Sequence, residues 1–197
     1  MADALEFYFT PGSSSLAPHI ALHEAGTDFV PHPVSLARGE QRDAAFLALN
    51  PAGPVPVLVA DGRPLTEVLA ILFFLARRFP RAGLLPNGGL AAEAEALSWM
   101  SFVAATLHPA RTQPMERAMA NWAIAEQRLG EAEWAVGGRY SIADIHLFRL
   151  YWRFAGSRLP PEGSLPRLKA HAARVMARPA VRKTFAIEEA IGYHLPP

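Results

Sequence analysis

The sequence lacks cysteine and has almost no net charge. Its 197 residues carry 19 basic and 18 acidic side chains. Without thiols the chain has no disulfide, no thiolate metal site and no cysteine nucleophile. The balanced charge gives no basic field for nucleic acid, and no apolar run is long enough to span a bilayer. The composition therefore predicts a protein with neither a nucleic-acid partner nor a membrane partner.

The chain also lacks a recognisable targeting signal. Residues Met1–Glu6 contain no basic side chain and no apolar core of the kind that a signal peptide needs. We therefore expect a cytoplasmic protein. Apolar residues make up 51% of the sequence, which is enough for a substantial core.

Hydrophobic periodicity divides the chain into two parts. Residues 1–80 have the order β-α-β-α-β-β-α, and alternation of helices and strands favours a partly parallel sheet. Proline and glycine cluster in residues 81–89, which we interpret as a linker. Residues 90–197 have a helical period almost throughout. We therefore predict an α/β domain over 1–80 and an all-α domain over 90–197.

Periodicity and breaker residues set the expected bounds of the elements. The strands are expected at Leu5–Phe9, Phe29–Leu36, Pro56–Ala60 and Arg63–Leu65. The helices are expected at Ser15–Ala25, Glu40–Ala48, Glu67–Phe79, Leu90–Leu107, Met115–Ala135, from Ser141 onward, Leu165–Met176 and Pro179–Ala190.

The stretch Asn50–Leu75 carries the first chemical signal. A proline that opens a strand after a loop, as Pro56 does, can have a cis bond that turns the backbone of Val55 towards a ligand, although only about 5% of such bonds are cis. Thr66 is a candidate cap for the helix that follows. Free N–H groups at that helix start bind anions, and the carboxylate of Glu67 can hold an ammonium group. The combination suits the zwitterionic head of an amino acid.

Three motifs together resemble the cytosolic glutathione transferases. Asn-Pro-x-Gly-x-Val-Pro-x-Leu begins at Asn50, and Leu-Thr-Glu-x-x-Ala-Ile begins at Leu65. Tyr8–Leu22 is similar to the bacterial beta class, and Tyr140–Asp144 resembles the family's helix-capping motif. The resemblance implies a thioredoxin-like N-terminal domain, an all-α C-terminal helical bundle, glutathione as co-substrate without a metal, a cis Val55–Pro56 bond and a homodimer.

The first loop decides how the glutathione thiol would be activated. A free thiol titrates near pH 8.5, so a donor or a positive field must stabilise its thiolate at neutral pH. Beta-class proteins usually have a cysteine where this chain has Ser14, and a tyrosine where it has Phe9. Ser14 can donate a hydrogen bond to the sulfur, and Ser13 or Ser15 could substitute for it. The alternative is that these serines only form a turn and cap the helix.

Two further residues match positions that serve catalysis or binding in the beta class. His108, directly after Leu107, matches a position at which beta-class proteins have a histidine near the glutathione thiol. A histidine there could donate a hydrogen bond to the sulfur or supply charge. The alternative is a histidine that is favoured by the dipole at a helix C-terminus. Ser101 occupies the position of an asparagine that often reaches the partner subunit's glutathione.

Backbone N–H groups and arginines are the candidate partners of the two glutathione carboxylates. The N–H groups of Glu67 and Val68 would hold the γ-glutamyl carboxylate, although the family often has serine or glycine where this chain has Val68. Arg38 is the best candidate for the glycyl carboxylate, and Arg42 is the next. The alternative for each arginine is an ordinary solvated surface charge.

Three other groups of residues are expected to have mainly structural roles. His19 and His23 have a spacing that can share a metal, but no third ligand is identifiable, so we expect an exposed helix face. Ser141 and Asp144 form a predicted capping box, with Tyr140 and Ile145 as a hydrophobic staple. Most of the tryptophans are expected in the core, and a few aromatic side chains are expected to line an apolar second-substrate site: Trp99, Trp122, Trp134, Trp152, Phe148 and Phe154.

The favoured function is conjugation of the glutathione thiolate to hydrophobic electrophiles, a detoxification reaction. One alternative is a non-catalytic glutathione-binding or scaffold protein, because the usual cysteine and tyrosine are absent. Another is a glutathione-dependent isomerase of the zeta type, which the triple serine Ser13–Ser15 suggests.

Overall fold

The structure is a computed structural model, and it describes residues 5–193. The described residues form two compact units, one of residues 5–82 together with 179–193 and the other of residues 83–178. None of the helices within residues 5–193 is both long and apolar enough to cross a membrane.

The first unit is built on a four-stranded sheet with the strand order β2-β1-β3-β4. Strand β1 pairs parallel with β2 and antiparallel with β3, and β4 pairs antiparallel with β3. The strands are β1 Leu5–Phe9, β2 Phe29–Pro33, β3 Val57–Ala60 and β4 Arg63–Thr66. The helices of this unit are α1 Leu16–Ala25, α2 Ala44–Leu49, α3 Val68–Arg78 and α9 Pro179–Ile191.

Prolines and turn residues limit these elements as the sequence indicates. Strand β2 contains Pro31 and Pro33, which lack a backbone donor, and it lies at the edge of the sheet, where that loss is tolerated. Asp61 and Gly62 both have positive φ, 51° and 73°, and form the predicted tight hairpin. A hydrophobic cluster packs around β3: Val34, Phe46, Val55, Val57 and Val59.

Several predictions about the elements of this unit are wrong. Strand β2 ends at Pro33, whereas Leu36 was expected. The predicted helix over residues 40–48 is a 3₁₀ turn followed by α2, because Asp43 between them is extended, with φ −65° and ψ 142°. Thr66 is the last residue of β4 and does not cap α3.

Helix α9 belongs to the first unit and packs against α1, which differs from the predicted domain of residues 90–197. Its buried side chains are Val181, Thr184, Phe185 and Glu188, which recur at the spacing of one helix face. That face needs a partner, and α1 supplies it.

The second unit is helical. Its helices are α4 Gly89–Phe102, α5 His108–Ala110, α6 Met115–Leu129, α7 Ile142–Arg158 and α8 Pro166–Met176. A π-helical turn, Val103–Leu107, joins α4 to α5. Helix α6 ends at Leu129, six residues before the predicted Ala135, because Gly130 takes φ 57° and ψ −142°.

The N-terminus of α7 confirms the predicted capping box. The Ser141 N–H donates to Asp144 Oδ2 over 2.8 Å, and the Ala143 N–H donates to Ser141 Oγ over 3.3 Å. Asp144 Oδ1 also accepts from the N–H of Ala135 and lies 2.9 Å from His171 Nε2. The cap therefore fixes the start of α7 against the preceding loop and against α8.

Candidate functional site

Strand register brings three separate segments to one end of the sheet. Phe9 at the end of β1 pairs with Pro33 at the end of β2. Val57, the first residue of β3, pairs with Thr66, the last residue of β4. The loop after β1, the Val55–Pro56 step and the start of α3 therefore emerge at the same edge, where the carboxyl ends of parallel strands commonly carry ligand sites.

The Val55–Pro56 peptide bond is cis, as the resemblance implied. Both residues are buried. The Ser14 hydroxyl donates to the carbonyl oxygen of Val55 over 3.2 Å. The first loop and the cis-proline step are therefore in direct contact.

Of the three loop serines, Ser13 and Ser15 are buried and Ser14 is half-buried. The Ser13 and Ser15 hydroxyl oxygens lie 2.6 Å apart. Ser15 Oγ donates to the Thr10 carbonyl and accepts from the Thr10 N–H, and it makes no side-chain cap bond to α1. Ser15 therefore occupies the N-cap position of α1, but its hydroxyl closes the loop and makes no cap hydrogen bond to the helix.

A buried carboxylate on α9 fixes the same loop. Glu188 Oε2 accepts the Gly12 N–H over 2.6 Å, and Glu188 Oε1 lies 2.7 Å from His19 Nδ1. His19 is 1% exposed and Glu188 is fully buried. The expected exposed face is therefore wrong at His19, because its ring packs between the sheet and α9.

His23, one turn further along α1, is half-buried. Its Nδ1 lies 2.8 Å from the Thr184 hydroxyl. Burial, with smaller contributions from His19 and Lys183, lowers the pKa of His23 to about 4. His23 is therefore neutral at neutral pH and adds a polar contact between α1 and α9. Within residues 5–193 no group of three or more metal-ligating side chains is placed to hold a metal ion.

Helix α3 begins at a residue with an unusual backbone. Glu67 has φ 68° and ψ 123°, its side chain is exposed, and it makes no side-chain cap bond. Its carbonyl accepts the Ile71 N–H over 3.0 Å. A non-glycine residue at positive φ costs of order 1–3 kcal/mol and is found most often at ligand sites. The carboxylate and the N–H groups of the first turn share one exposed helix end.

The arginine candidates lie on the surface. Arg38 is 75% exposed at its side chain and forms an ion pair with Glu40 at 2.7 Å. Glu40 also accepts the Ser35 N–H, and this bond, followed by the contact with Arg38, lowers the pKa of Glu40. Arg42 is exposed. Neither arginine is held in a buried position.

His108 lies in the second unit, directly after the π-helical turn. It is half-buried, and its pKa falls to about 4 because of burial and then the positive charges of Arg149 and Arg111. His108 is therefore neutral at pH 7, so it can donate a hydrogen bond but supplies no positive charge. The helical backbone continues to Ala110, so His108 is not the last residue of its helix. Ser101 is exposed on α4.

Sequence reasoning missed Glu188, the backbone of Glu67 and the buried polar residues of α7. A sequence pattern could have indicated Glu188, since a charged residue in phase with Val181 and Phe185 on an apolar helix face needs a buried partner.

No sequence pattern could have indicated His146, because α7 is buried on most sides and has no single apolar face. Its Nδ1 has no hydrogen-bond partner in the described structure. Burial, with Arg149 and His108, lowers the pKa of His146 to about 3.

Comparison with known proteins assigns the class of this arrangement. Residues 4–77 match the sequence model for the glutathione S-transferase N-terminal domain, and residues 95–179 match that for the C-terminal domain. A glutathione S-transferase, GstA, of Escherichia coli O157:H7 is 32% identical, with 93% of this chain and 98% of the relative aligned. A maleylacetoacetate isomerase of Pseudomonas aeruginosa is 31% identical, with 87% and 90% aligned.

Solved structures agree with the sequence matches. A sphingomonad glutathione S-transferase in complex with glutathione superposes with a TM-score of 0.84 at 32% identity, covering 93% of this chain and 98% of that one. A beta-class glutathione S-transferase of Sphingomonas chungbukensis gives 0.81 at 32% identity, with 93% and 98% covered. The chain belongs to the glutathione S-transferase family and is similar to its bacterial beta class.

Proposed function

We propose that this protein is a glutathione transferase that conjugates the glutathione thiolate to hydrophobic electrophiles. The family assignment supports the co-substrate, since a structure of similar fold contains glutathione. One observation carries the mechanism: Ser14 is the only serine of the first loop that is not buried, and it contacts the cis-proline step. Phe9 at the end of β1 is fully buried and has no donor. These observations support Ser14 as the loop residue that activates the sulfur.

The mechanism requires the Ser14 hydroxyl to turn from the Val55 carbonyl to the glutathione sulfur. A hydrogen bond to the thiolate stabilises the charged form and lowers the thiol pKa. The thiolate then attacks the electrophilic carbon and the leaving group departs with its electron pair. Ser13 and Ser15 hold the loop that presents Ser14, and neutral His108 acts as a second hydrogen-bond donor.

The rest of glutathione is recognised by the other candidates. Backbone groups of Val55, next to Pro56, pair with the cysteinyl backbone. The carboxylate of Glu67 holds the ammonium of the γ-glutamyl group. The N–H groups of Glu67 and Val68 hold the carboxylate of the same γ-glutamyl group, and Thr66 is a neighbouring contact. Three exposed residues complete the set of proposed glutathione contacts: Arg38 or Arg42 for the glycyl carboxylate, and Ser101.

Two measurements on the purified protein test this function. Titration calorimetry should give heat on addition of millimolar glutathione, and chlorodinitrobenzene should be consumed in a glutathione-dependent reaction. No heat and no conjugation would contradict the proposal. Heat without conjugation would instead favour a non-catalytic glutathione-binding protein.

The second candidate is a glutathione-dependent isomerase. It is favoured by the maleylacetoacetate isomerase relative and by the triple serine Ser13–Ser15. In such a reaction the thiolate adds to a conjugated cis double bond, the new single bond rotates, and the thiolate leaves with the trans bond restored. Faster glutathione-dependent isomerisation of a maleyl diketone than conjugation of chlorodinitrobenzene would select this function.

We further propose that the protein is a cytoplasmic homodimer. Phe73 and Phe74 of α3 are only half-buried in the single chain, and their rings contact the guanidinium groups of Arg77 and Arg78. A self-associating surface would cover such aromatic groups. Light scattering at micromolar concentration should give twice the chain mass of 21.4 kDa. A monomer would contradict the dimer and remove the role of Ser101 at a partner's glutathione.

A further inference from the structure

Arg149 is a buried charge in the middle of α7. It is only 7% exposed, although arginine is seldom buried to this degree. Burial of a guanidinium is costly, and it also protects the charge from screening by solvent and salt. The guanidinium does not lose its proton in proteins, so the charge is present at every pH. Arg149 therefore gives this part of the second unit a fixed positive field.

Two histidines lie close to this charge. His146 precedes Arg149 by three positions, so the two side chains share one face of α7. Helix α7 packs against the π-helical turn Val103–Leu107, and His108 directly follows that turn. Such turns are rare and are found frequently at functional sites. The fold therefore brings His108, His146 and Arg149 into one cluster.

The charge of Arg149 acts on both imidazole rings. Burial, and after it the charge of Arg149, lowers the pKa of His108 to about 4 and that of His146 to about 3. Arg111 has a smaller effect on His108, and it is exposed, so its field is more strongly screened. His146 is neutral at neutral pH and adds no charge. The stronger of these two positive fields at His108 therefore comes from Arg149.

A field that acts on His108 also acts on a thiolate beside it. A positive charge that disfavours an imidazolium favours an anion at the same place, because the two ions have opposite charge. The first loop supplies no such charge, since Ser14 is neutral and Phe9 has no donor. His108 supplies none while its ring is neutral. A fixed guanidinium near His108 meets this requirement.

We propose that Arg149 stabilises the glutathione thiolate that is held beside His108, and so supplies the positive charge that activation of the thiol requires. The inference rests on the proposed function, in which His108 donates a hydrogen bond to the sulfur. Arg149 is a positioning residue in this scheme, because it keeps His108 in the neutral form and acts on the sulfur through its field. The thiol proton leaves to solvent, and Arg149 neither gains nor loses a proton.

The pKa of the bound thiol is the quantity to measure, from the ultraviolet absorbance of the thiolate in the complex of protein and glutathione. Arg149→Gln removes the charge and should raise this pKa by about one unit. Conjugation of chlorodinitrobenzene should then slow roughly tenfold at a pH below the thiol pKa of the parent, and should change little near about pH 9, where the thiolate forms without help.

Two variants serve as controls for the charge. Arg149→Lys keeps a positive charge at the same position and should keep most of the lowering of the thiol pKa. Arg117→Gln removes an exposed arginine of α6 and should leave the thiol pKa unchanged.

The histidine ring signals give a second measurement that needs no glutathione. In Arg149→Gln, an NMR titration should show that the pKa of His108 rises from about 4 towards its ordinary value. A folded Arg149→Gln variant with an unchanged thiol pKa would overturn the inference, even where glutathione binds and is conjugated. A parent protein that leaves the bound thiol at its free pKa would overturn it as well. A parent that binds no glutathione would contradict the proposed function itself, and the inference with it.

If Arg149→Gln fails to fold, Ser14→Ala in about 1 M salt decides, since the loop hydroxyl is then absent and exposed charges are screened. A thiol pKa that stays below its free value under these conditions supports the buried charge. A return to the free value would overturn the inference.

Discussion

The hydroxyl of Ser14 donates to the carbonyl oxygen of Val55 over 3.2 Å, although 41 positions separate the two residues. The contact joins the loop that would activate a thiol to the cis-proline step that would hold a peptide backbone. It also shows that the Ser14 hydroxyl points to the edge of the sheet where the Val55–Pro56 step and the start of α3 emerge.

Ser14→Ala should slow conjugation more at about pH 6.5 than at about pH 9. At the lower pH most of the thiol is protonated, so loss of a hydrogen bond to the thiolate costs about 1.5–3 kcal/mol, or roughly tenfold to a hundredfold in rate. Near pH 9 the thiolate forms without help. Initial rates with chlorodinitrobenzene, at saturating glutathione, measure the difference, and glutathione affinity should change little.

The buried serines provide the control for Ser14. Ser15→Ala removes the partner of both Thr10 backbone groups, so it should destabilise the protein by roughly 1–3 kcal/mol in urea unfolding. Ser14→Ala should change the unfolding free energy by less. Equal rates for Ser14→Ala and the parent at both pH values would exclude Ser14 and direct attention to Ser13, Ser15 or His108.

Glu67→Gly should stabilise the fold and weaken glutathione binding. Glycine adopts positive φ without steric cost, so the substitution should relieve roughly 1 kcal/mol of strain at φ 68°. Loss of the carboxylate should weaken binding by about 1.5–3 kcal/mol if it holds the ammonium group. Urea unfolding and calorimetry measure the two effects separately. Glu67→Gln keeps the side-chain length, and unchanged affinity in that variant would show that charge is not needed.

Glu188→Ala should be strongly destabilising. Glu188 is fully buried and joins the Gly12 N–H to His19, so its removal leaves both groups without their acceptor. Leaving a buried polar group without its hydrogen-bond partner costs roughly 1–3 kcal/mol, and here two groups are affected. The neighbouring Glu189 is exposed, and Glu189→Ala should stay within about 0.5 kcal/mol of the parent. Similar unfolding midpoints for the two variants would contradict this role of Glu188.

His146 should make the protein acid-sensitive. Its folded-state pKa of about 3 lies below the unfolded value near 6.5, so between these values the unfolded chain binds the proton that the folded chain excludes. His146 therefore does not reduce the free energy of unfolding above the unfolded pKa. As the pH drops from there towards the folded pKa, the free energy of unfolding falls by roughly 1.4 kcal/mol per pH unit.

Removal of the imidazole tests this acid sensitivity. His146→Gln should flatten the dependence of the unfolding free energy on pH between about 6 and 4, since Gln does not titrate. His108 and His23, with pKa values lowered to about 4, act in the same direction, so part of the slope should remain. Parallel curves for parent and variant would contradict the assignment.

The sequence by itself determined the family, the order of the strands and main helices, and several local turns and caps. The hairpin at Asp61–Gly62 and the capping box of Ser141 and Asp144 follow from short-range backbone rules, and both lie where those rules put them. The spaced motifs around Asn50, Leu65 and Tyr140 identified the fold. Local patterns suffice here because each depends on residues only a few positions apart.

Only the tertiary structure decided which side chains act together. The motif favoured Ser14 but left Ser13 and Ser15 as substitutes, whereas packing buries those two and leaves Ser14 facing Val55. The sequence led us to expect an exposed helix face at His19 and His23. In the structure Glu188, 169 positions away from His19, contacts its ring, which is buried against α9. The pKa of His108 likewise depends on Arg149 and on burial. These properties arise from long-range packing and desolvation, which local sequence patterns do not encode.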